Sequence, residues 1–254
     1  PIMPDALKPR LSVVIPAYNE AKRIAATLLD IDHYLSRQGY PYEILVVNDG
    51  SKDNTAELVR RFEGTVAHLR LIDNAVNHGK GYVVRRGMLE ARGAVRIFTD
   101  ADNSTSIDHI EGFWPVFDEG YDVVIGSRAV RGATIARHES RIKEFLGRLG
   151  NKYIQLVAGW GIWDTQAGFK AFTAEAAEAI FSRLTIDRWG FDVEELAVAR
   201  LLGYRIKELP IRWVNDAASH VRASAYLEVL WETTKIRINM WRGVYTKIQH
   251  PRLR

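Results

Sequence analysis

Short apolar runs alternate with segments of helical periodicity along the first two-thirds of the chain. Runs of strand length, rich in β-branched residues, are typical of strands buried on both faces. Such runs occur at residues 11–15, 43–47, 66–72, 95–99 and 122–125. Helices are predicted at residues 24–35, after a cap at Asp53 or Asn54, and at residues 81–91, 107–117 and 141–157.

Strands separated by helices of this length predict an α/β fold, with a mostly parallel sheet sandwiched by helices. Ligands of such sheets bind beyond the carboxyl ends of the strands. The loops after Ile15, Val47 and Thr99 should therefore line one common site. Beyond Val214 the pattern changes to one long helix over about residues 225–246. We expect one domain over residues 11–224 and an amphipathic helical tail over residues 225–254.

Composition and charge narrow the function classes. The 254 residues include no cysteine, which excludes disulfides and cysteine-ligated zinc. Lys and Arg number 35 against 31 Asp and Glu, a net charge of +4 that suits an anionic ligand or an anionic membrane surface. No long basic run is present, so no nucleic-acid partner is expected. Oligomeric state has no signature in the sequence.

Two features bear on location. Residues 1–10 are polar and proline-rich, so no secretory signal peptide is expected there. No stretch approaches the roughly 20 apolar residues that span a bilayer. We therefore expect a cytoplasmic protein that lies peripherally on the cytoplasmic face of a membrane.

Acidic residues follow the fourth predicted strand in the segment 99–104 (TDADNS). Asp100 and Asp102 would together offer a hard, oxygen-rich site for Mg²⁺ or Mn²⁺. The alternative is that Asp102 or Ser104 only caps the next helix.

The segment 48–51 (NDGS) ends a neighbouring strand. Asp49 in this segment either accepts hydrogen bonds from a base or ribose or stands in an ordinary Asp-Gly turn.

Residues 77–81 (NHGKG) open a further helix, where backbone donors and the charge of Lys80 suit an anion. The spacing differs from that of a Walker loop, which argues against an ATPase or kinase. Asp192, Glu194 and Glu195 on a later helix could orient sugar hydroxyls or bind a neighbouring arginine. Asp164 either lies near a sugar or ends a turn.

Four segments in order, 14–20 (VIPAYNE), 48–53 (NDGSKD), 77–81 (NHGKG) and 100–102 (DAD), resemble the signatures of family 2 glycosyltransferases with the GT-A (Rossmann-like) fold. Three more, 126–128 (GSR), 164–170 (DTQAGFK) and 188–194 (RWGFDVE), resemble those of dolichyl- and polyprenyl-phosphate hexose synthases. The glucosyl-transferring branch is nearest and the mannosyl-transferring branch next. The similarity runs from Leu11 to about Ser219.

The resemblance implies roles by position. The residues implied to hold the donor are Pro16, Ala17, Tyr18, Glu20, Asp49, Lys80, Asp100, Ala101 and Asp102. The implied metal ligands are Asp100 and Asp102. The implied catalytic residues are Asp102, Arg128 and Arg141, and those facing the acceptor phosphate are Arg128, Arg141, Ser219 and Arg222. The family often has glutamine where Ser104 stands, and its late Gly-Ser-Lys is here 218–220 (ASH), so Arg222 would replace the lost charge.

The implied reaction is inverting transfer of a hexose from a nucleoside-diphosphate sugar, UDP-glucose before GDP-mannose, to a polyprenyl or dolichyl phosphate. A phosphate acceptor is already an anion and needs no general base. Three alternatives remain. A soluble or polysaccharide acceptor would need Asp164 or Asp192 as its base. A nucleotidyltransferase would carry a glycine-rich basic loop after its first strand. A binding protein would not need all of Asp100, Asp102, Arg128 and Arg141.

The tail carries an apolar stripe at helical spacing, formed by Leu227, Leu230, Trp231, Ile238, Trp241 and Tyr245. Basic residues flank the stripe at Lys235, Arg237, Arg242 and Lys247. This pattern indicates either a helix lying in a membrane interface or one packed against the domain or a partner.

Overall fold

The computed structural model describes residues 8–135, 150–155, 157, 161–214 and 223–250, with side chains of the last stretch from Leu227 onward. Most of the helix predicted at residues 141–157 lies outside this range, and the described residues 150–155 are helical. Arg141, Ser219 and Arg222 also lie outside it. Their predicted roles therefore stay predictions.

Seven strands of the described chain form one mixed sheet in the order β3-β2-β1-β4-β7-β5-β8. The strands are β1 (Leu11–Ala17), β2 (Tyr42–Asp49), β3 (Leu69–Asn74), β4 (Val95–Thr99), β5 (Val123–Ser127), β6 (Thr134–Ile135), β7 (Phe169–Thr173), β8 (Ile206–Pro210) and β9 (Arg212–Trp213). Strand β7 runs antiparallel to β4 and β5, and the other neighbours in the sheet are parallel. Strands β6 and β9 form a separate two-stranded pair.

Besides the helical residues 150–155, the helices of the described chain are α1 (Ile24–Leu35), α2 (Thr55–Phe62), α3 (Lys80–Glu90), α4 (Trp114–Asp118), α5 (Ala174–Phe181), α6 (Phe191–Leu201) and α7 (Ala223–Trp241). The prediction of one helix over residues 107–117 is wrong. A 3₁₀ helix ends at Gly112, and α4 then begins at Trp114 with Pro115 in its first turn. Proline is tolerated there because no backbone N–H is needed at a helix start.

Helices cover both faces of the sheet, which confirms the predicted α/β sandwich. On one face, Val14, Leu45 and Val47 share a buried cluster with Val83 and Met88 of α3. On the other, residues of β1 and β2 that point the opposite way pack with apolar side chains of α1, in a cluster that includes Val13, Ile15, Ile44, Val46, Ile24, Leu28 and Ile31. Because each strand is buried on both sides, it reads as a continuous apolar run in the sequence.

Helix α7 packs against α6 and buries Val229, Thr233 and Ile236. The predicted stripe is wrong for Tyr245, which is fully buried and donates a 2.8 Å hydrogen bond to Glu194 Oε1. The helix ends at Trp241, and Gly243 with a φ of 65° turns the chain into a 3₁₀ helix over Val244–Thr246. None of the helices in the described part of the chain has the length and apolarity that a membrane crossing requires.

Candidate active site

The loops after β1 and β2 are joined into one wall at the carboxyl edge of the sheet. Asn19 has a φ of 56°. Its side-chain Oδ1 accepts a 2.8 Å hydrogen bond from the Lys52 backbone amide, and its backbone amide donates to Ser51 Oγ at 2.9 Å. The Glu20 amide donates to Thr55 Oγ1 at 2.8 Å. These bonds hold the segment predicted to bind the nucleoside in a fixed position.

The donor-binding residues predicted in these loops lie at different depths. Pro16 and Ala17 end β1 and are buried, whereas Tyr18 beyond them is 42% exposed. Ala101 is buried, and its carbonyl accepts a 2.7 Å hydrogen bond from Thr27. Tyr18 is the exposed one of these four residues, so its aromatic ring is accessible at this edge of the sheet.

Asp49 holds the loop that leads into α3. Its Oδ1 accepts from the His78 amide at 2.7 Å, and its Oδ2 accepts from the Gly79 amide at 2.9 Å and from Asn77 Nδ2 at 2.7 Å. Gly50 has a φ of 65°, and a Cβ there would lie 2.5 Å from the Val76 carbonyl carbon. Asp49 is thus fixed by this loop, and its role toward a nucleoside stays a prediction.

Lys80 and Asp100 form an ion pair between the start of α3 and the end of β4. Lys80 Nζ lies 2.6 Å from Asp100 Oδ1. Burial alone would lower the pKa of Lys80, but the carboxylates of Asp100 and Asp192 raise it. The other side of Asp100 meets the backbone of Gly168, where a Cβ would lie 2.1 Å from Oδ2. A side chain at position 168 would therefore have to displace the Asp100 carboxylate.

Asp102 and Glu20 bring further negative charge to the same place. Asp102 Oδ1 accepts from the Ser104 amide at 2.9 Å, so this carboxylate also fixes its own turn. Glu20 is held by Arg23, whose Nε and Nη2 donate at 2.7 Å. Burial raises the pKa of Glu20; Arg23 opposes this shift, and Asp102 and Asp100 add to it by repulsion.

The carboxylates of Asp100 and Asp102 have the chemistry that a divalent cation needs, although they are only two ligands. Asp100 and Asp102 provide hard oxygens at a strand end, as Mg²⁺ and Mn²⁺ require. The described part of the chain contains no group of three or more side chains able to ligate a metal. A cation bound by this pair would therefore take its remaining ligands from water and from phosphates, which is usual for Mg²⁺ at nucleotide sites.

Arg128, directly after β5, is fixed by Asp164. Its amide and Nε donate to Asp164 Oδ2 at 2.8 and 2.9 Å, and its Nη2 donates to Oδ1 at 2.8 Å. Burial favours the neutral acid, but Arg128 lowers the pKa of Asp164. Burial likewise opposes the charge of Arg128, whereas Asp164, and more weakly Asp100 and Asp192, raise its pKa. Asp100 after β4 is thus close enough to Arg128 after β5 to favour its positive charge.

A buried triad of charged residues is centred on β7, the strand that lies between β4 and β5. Lys170 of β7 is fully buried, and its Nζ lies 2.6 Å from Asp192 Oδ1 and 2.8 Å from Glu195 Oε1. Glu195 Oε2 has no hydrogen-bond partner among the described residues. Burial raises the pKa of Glu195 to about 8, against the opposing effect of Lys170. Two carboxylates are buried around one contacting ammonium, so burial and their mutual repulsion favour the protonated form of Glu195.

The sequence did not predict this triad. Asp192 and Glu195 bind a lysine rather than an arginine, and Glu194 instead accepts from the amides of Thr185 and Ile186. A signal was present, because Lys170 interrupts the otherwise apolar run 169–172 (FKAF). A lysine at a core position requires a buried acidic partner.

The chain matches known proteins over most of its length. Residues 12–181 match the family model described as Glycosyl transferase family 2. A dolichyl-phosphate beta-glucosyltransferase from Trichomonas vaginalis is 36% identical over 246 residues, covering 92% of this chain and 72% of that protein. The protein of the same name from Homo sapiens is 32% identical over 231 residues, covering 85% and 70%.

Solved structures share the fold. Mannosyl-3-phosphoglycerate synthase from Rubrobacter xylanophilus superposes with a TM-score of 0.67 at 18% identity, covering 97% of this chain and 79% of that one. Glucosyl-3-phosphoglycerate synthase from Mycobacterium tuberculosis, crystallised with Mg²⁺ and UDP, gives a TM-score of 0.63 at 20% identity, covering 92% and 80%. At these identities the likeness extends to the fold alone.

Proposed function

This chain is a member of glycosyl transferase family 2, and we propose that it transfers glucose from UDP-glucose to a dolichyl or other polyprenyl phosphate with inversion at the anomeric carbon. The proposal is carried by the 32–36% identity, over most of the chain, to proteins named dolichyl-phosphate beta-glucosyltransferase. The observed charges at the carboxyl edge of the sheet are compatible with two anionic substrates lying side by side.

The donor would occupy the edge formed by the loops after β1, β2 and β4. We assign the nucleoside to the neighbourhood of Tyr18 and Asp49, and the diphosphate to that of Lys80, Asp100 and Asp102. When bound by the two aspartates, Mg²⁺ or Mn²⁺ would neutralise charge that develops on the departing diphosphate. Lys80 contributes a second positive charge at the start of α3, where backbone N–H groups favour anions.

The acceptor phosphate would meet Arg128. The bidentate contact with Asp164 fixes the guanidinium group, so little side-chain entropy is lost when a second anion binds. Arg141, Ser219 and Arg222, from outside the described residues, are proposed to complete this phosphate site. Catalysis would then consist mainly of holding two anions in line for a single displacement.

The pairing of the acidic residues argues against a hydroxyl acceptor. Such an acceptor needs a general base, and the candidates were Asp164 and Asp192. Asp164 is committed to Arg128, which lowers its pKa and makes it a weak base. Asp192 is committed to the buried Lys170. A phosphate acceptor needs neither of them as a base.

A donor and acceptor panel tests the proposal. The purified chain is incubated with Mg²⁺ or Mn²⁺, a short polyprenyl phosphate and each of several nucleotide sugars, including UDP-glucose and GDP-mannose. With UDP-glucose we expect polyprenyl phosphate glucose as the product, detected by mass spectrometry. The corresponding polyprenol, which lacks the phosphate, should give no product. A preference for GDP-mannose would replace the donor, and transfer to the alcohol would contradict the acceptor.

We also propose that the exposed surface of α7 rests on a membrane, where a lipid acceptor resides. Trp231 and Trp241 are 70% and 76% exposed, although large apolar side chains are usually buried. Lys235 on this helix and Arg242 directly after it are exposed, and the Arg237 guanidinium lies 5.3 Å from the Trp241 ring. Aromatic and basic side chains together suit an interface with anionic headgroups.

Reversing the charges of Lys235, Arg237 and Arg242 to glutamate tests this surface. At about 1 kcal/mol per basic residue, affinity for anionic vesicles is expected to fall by roughly two to three orders of magnitude at low salt. The difference should diminish as salt rises, because screening weakens the attraction. Co-sedimentation with phosphatidylserine vesicles measures the change. Activity on a short water-soluble prenyl phosphate should survive.

A matched triple reversal provides the control. Arg37, Arg61 and Arg92 are exposed elsewhere in the chain, and their replacement by glutamate changes the net charge equally. This control should retain clearly more vesicle binding than the α7 variant. Equal sedimentation of the α7 variant and the unmodified protein would contradict the proposed surface.

A further inference from the structure

The ion pair between Lys80 and Asp100 occupies the position at which a divalent cation is proposed to bind. Lys80 Nζ lies 2.6 Å from Asp100 Oδ1, with side chains that are 24% and 36% exposed. The backbone of Gly168 lies close to the other oxygen, since a Cβ built there would lie 2.1 Å from Oδ2. A divalent cation that coordinates Asp100 would lie beside the Lys80 ammonium, so the two positive charges compete for one carboxylate.

We propose that Lys80 is a resident counter-ion that competes with the divalent cation for Asp100, so that the cation and the donor diphosphate bind cooperatively. The inference rests on the proposed function, because it takes a nucleoside diphosphate as the ligand that draws Lys80 away. Asp102 alone is a weak site for a cation, since a single carboxylate that also accepts from the Ser104 amide supplies few ligands. The donor-free enzyme should therefore hold Mg²⁺ or Mn²⁺ poorly.

The diphosphate resolves this competition. Lys80 is the first residue of α3, so a short movement of its flexible side chain transfers the ammonium from Asp100 to a phosphate at the helix start. The carboxylate of Asp100 is then no longer neutralised by the lysine and attracts the cation more strongly. By thermodynamic linkage, a diphosphate that strengthens cation binding must itself be bound more tightly in the presence of the cation, by the same factor.

Mn²⁺ titrations without nucleotide test the competition directly. Free Mn²⁺ is measured by electron paramagnetic resonance for the wild-type chain, for Lys80→Met and for Lys52→Met. Lys52 is an exposed lysine in the loop after β2, and its replacement removes the same charge without touching the pair of Lys80 and Asp100. We expect the Mn²⁺ dissociation constant of Lys80→Met to fall roughly five- to tenfold, and that of Lys52→Met to stay close to wild type.

Titrations with UDP distinguish two explanations: release of Lys80 from Asp100, and a long-range electrostatic effect of the lysine charge on Mn²⁺ binding. In the wild type UDP should lower the Mn²⁺ dissociation constant by a larger factor than in Lys80→Met, because only the wild type has a lysine to release. Unchanged Mn²⁺ affinity in Lys80→Met without nucleotide would overturn the proposal. An equal UDP effect in the two proteins would also overturn it, because the lysine would then act only through its long-range field.

Two further outcomes stay distinguishable. If UDP does not bind the wild type at any Mn²⁺ concentration, the proposed donor is wrong, whereas the nucleotide-free titrations still decide whether Lys80 competes for Asp100. Should Lys80→Met lose its fold by circular dichroism, Lys80→Gln replaces it with a polar side chain, and the same shifts are expected.

Discussion

Replacement of Lys170 by methionine is expected to lower the free energy of unfolding by about 3–5 kcal/mol, the usual cost of removing one partner from a buried ion pair. Lys170 is fully buried, and its ammonium is the cation that contacts Asp192 and Glu195. Methionine fills a similar volume, so the loss comes from the two carboxylates rather than from a cavity. Urea denaturation at pH 8 measures the change.

The cost should depend on pH in a defined direction. Burial raises the pKa of Glu195 from 4.5 to about 8, so the folded state favours its protonated form. Stability from such a group is present below pH 4.5 and is lost as pH rises through about 8. Without Lys170, the carboxyl groups of Asp192 and Glu195 would hold their protons still more tightly. The stability difference between variant and wild type should therefore be smaller at pH 5 than at pH 8.

Lys207→Met is the matched control, because Lys207 also lies on a strand but is exposed. Surface substitutions of this kind usually change stability by less than about 0.5 kcal/mol. A Lys170→Met protein as stable as Lys207→Met at pH 8 would show that the triad is not held together by charge. A difference that grows toward low pH would contradict the protonation state assigned to Glu195.

The same triad shows where reasoning from sequence stops. The buried strands β1, β2 and β4 could be predicted because their apolar runs are continuous. Strand β7 was missed, since Lys170 lies in its middle and a lysine normally argues against burial. The partners that make the burial possible, Asp192 and Glu195, come from α6 and reach Lys170 only in the folded chain.

The candidate site was predictable in position but not in its pairings. Acidic residues after parallel strands are expected at one edge of the sheet, and Asp49 and Asp100 do lie at the carboxyl ends of β2 and β4. That Asp49 accepts from the amide of His78, 29 residues later, depends on how the following loop folds back. The pairing of Arg128 with Asp164 across 36 residues likewise depends on tertiary structure.

The tail shows a different limit. Helical spacing placed Tyr245 on the same stripe as Trp241, on the assumption that one helix continues to about residue 246. Gly243 adopts a left-handed conformation after α7 and returns the chain toward α6, where Tyr245 contacts Glu194. Glycine often ends a helix in this way, so its position could have warned against a longer helix.

Replacement of Asp102 by asparagine is expected to reduce glucosyl transfer to roughly a thousandth of the wild-type rate or less, the scale on which lost electrostatic stabilisation of developing charge acts. Asp102 Oδ1 accepts from the Ser104 amide, and the asparagine carbonyl oxygen can accept the same bond. The turn and the fold should therefore survive. What the variant loses is the negative charge proposed to bind Mg²⁺ or Mn²⁺, because a neutral amide is a poor ligand for a hard cation.

Asp108→Asn makes the same chemical change at an exposed position a short distance along the chain and should leave the rate near that of the wild type. Melting curves of both variants should overlay that of the wild type, so that the loss of turnover is assigned to the site. Removal of metal with EDTA should abolish transfer by the wild type, and added Mn²⁺ should restore it. Undiminished turnover by Asp102→Asn, or by the wild type in EDTA, would contradict the metal assignment and leave Lys80 and Arg128 as the cations that balance the departing diphosphate.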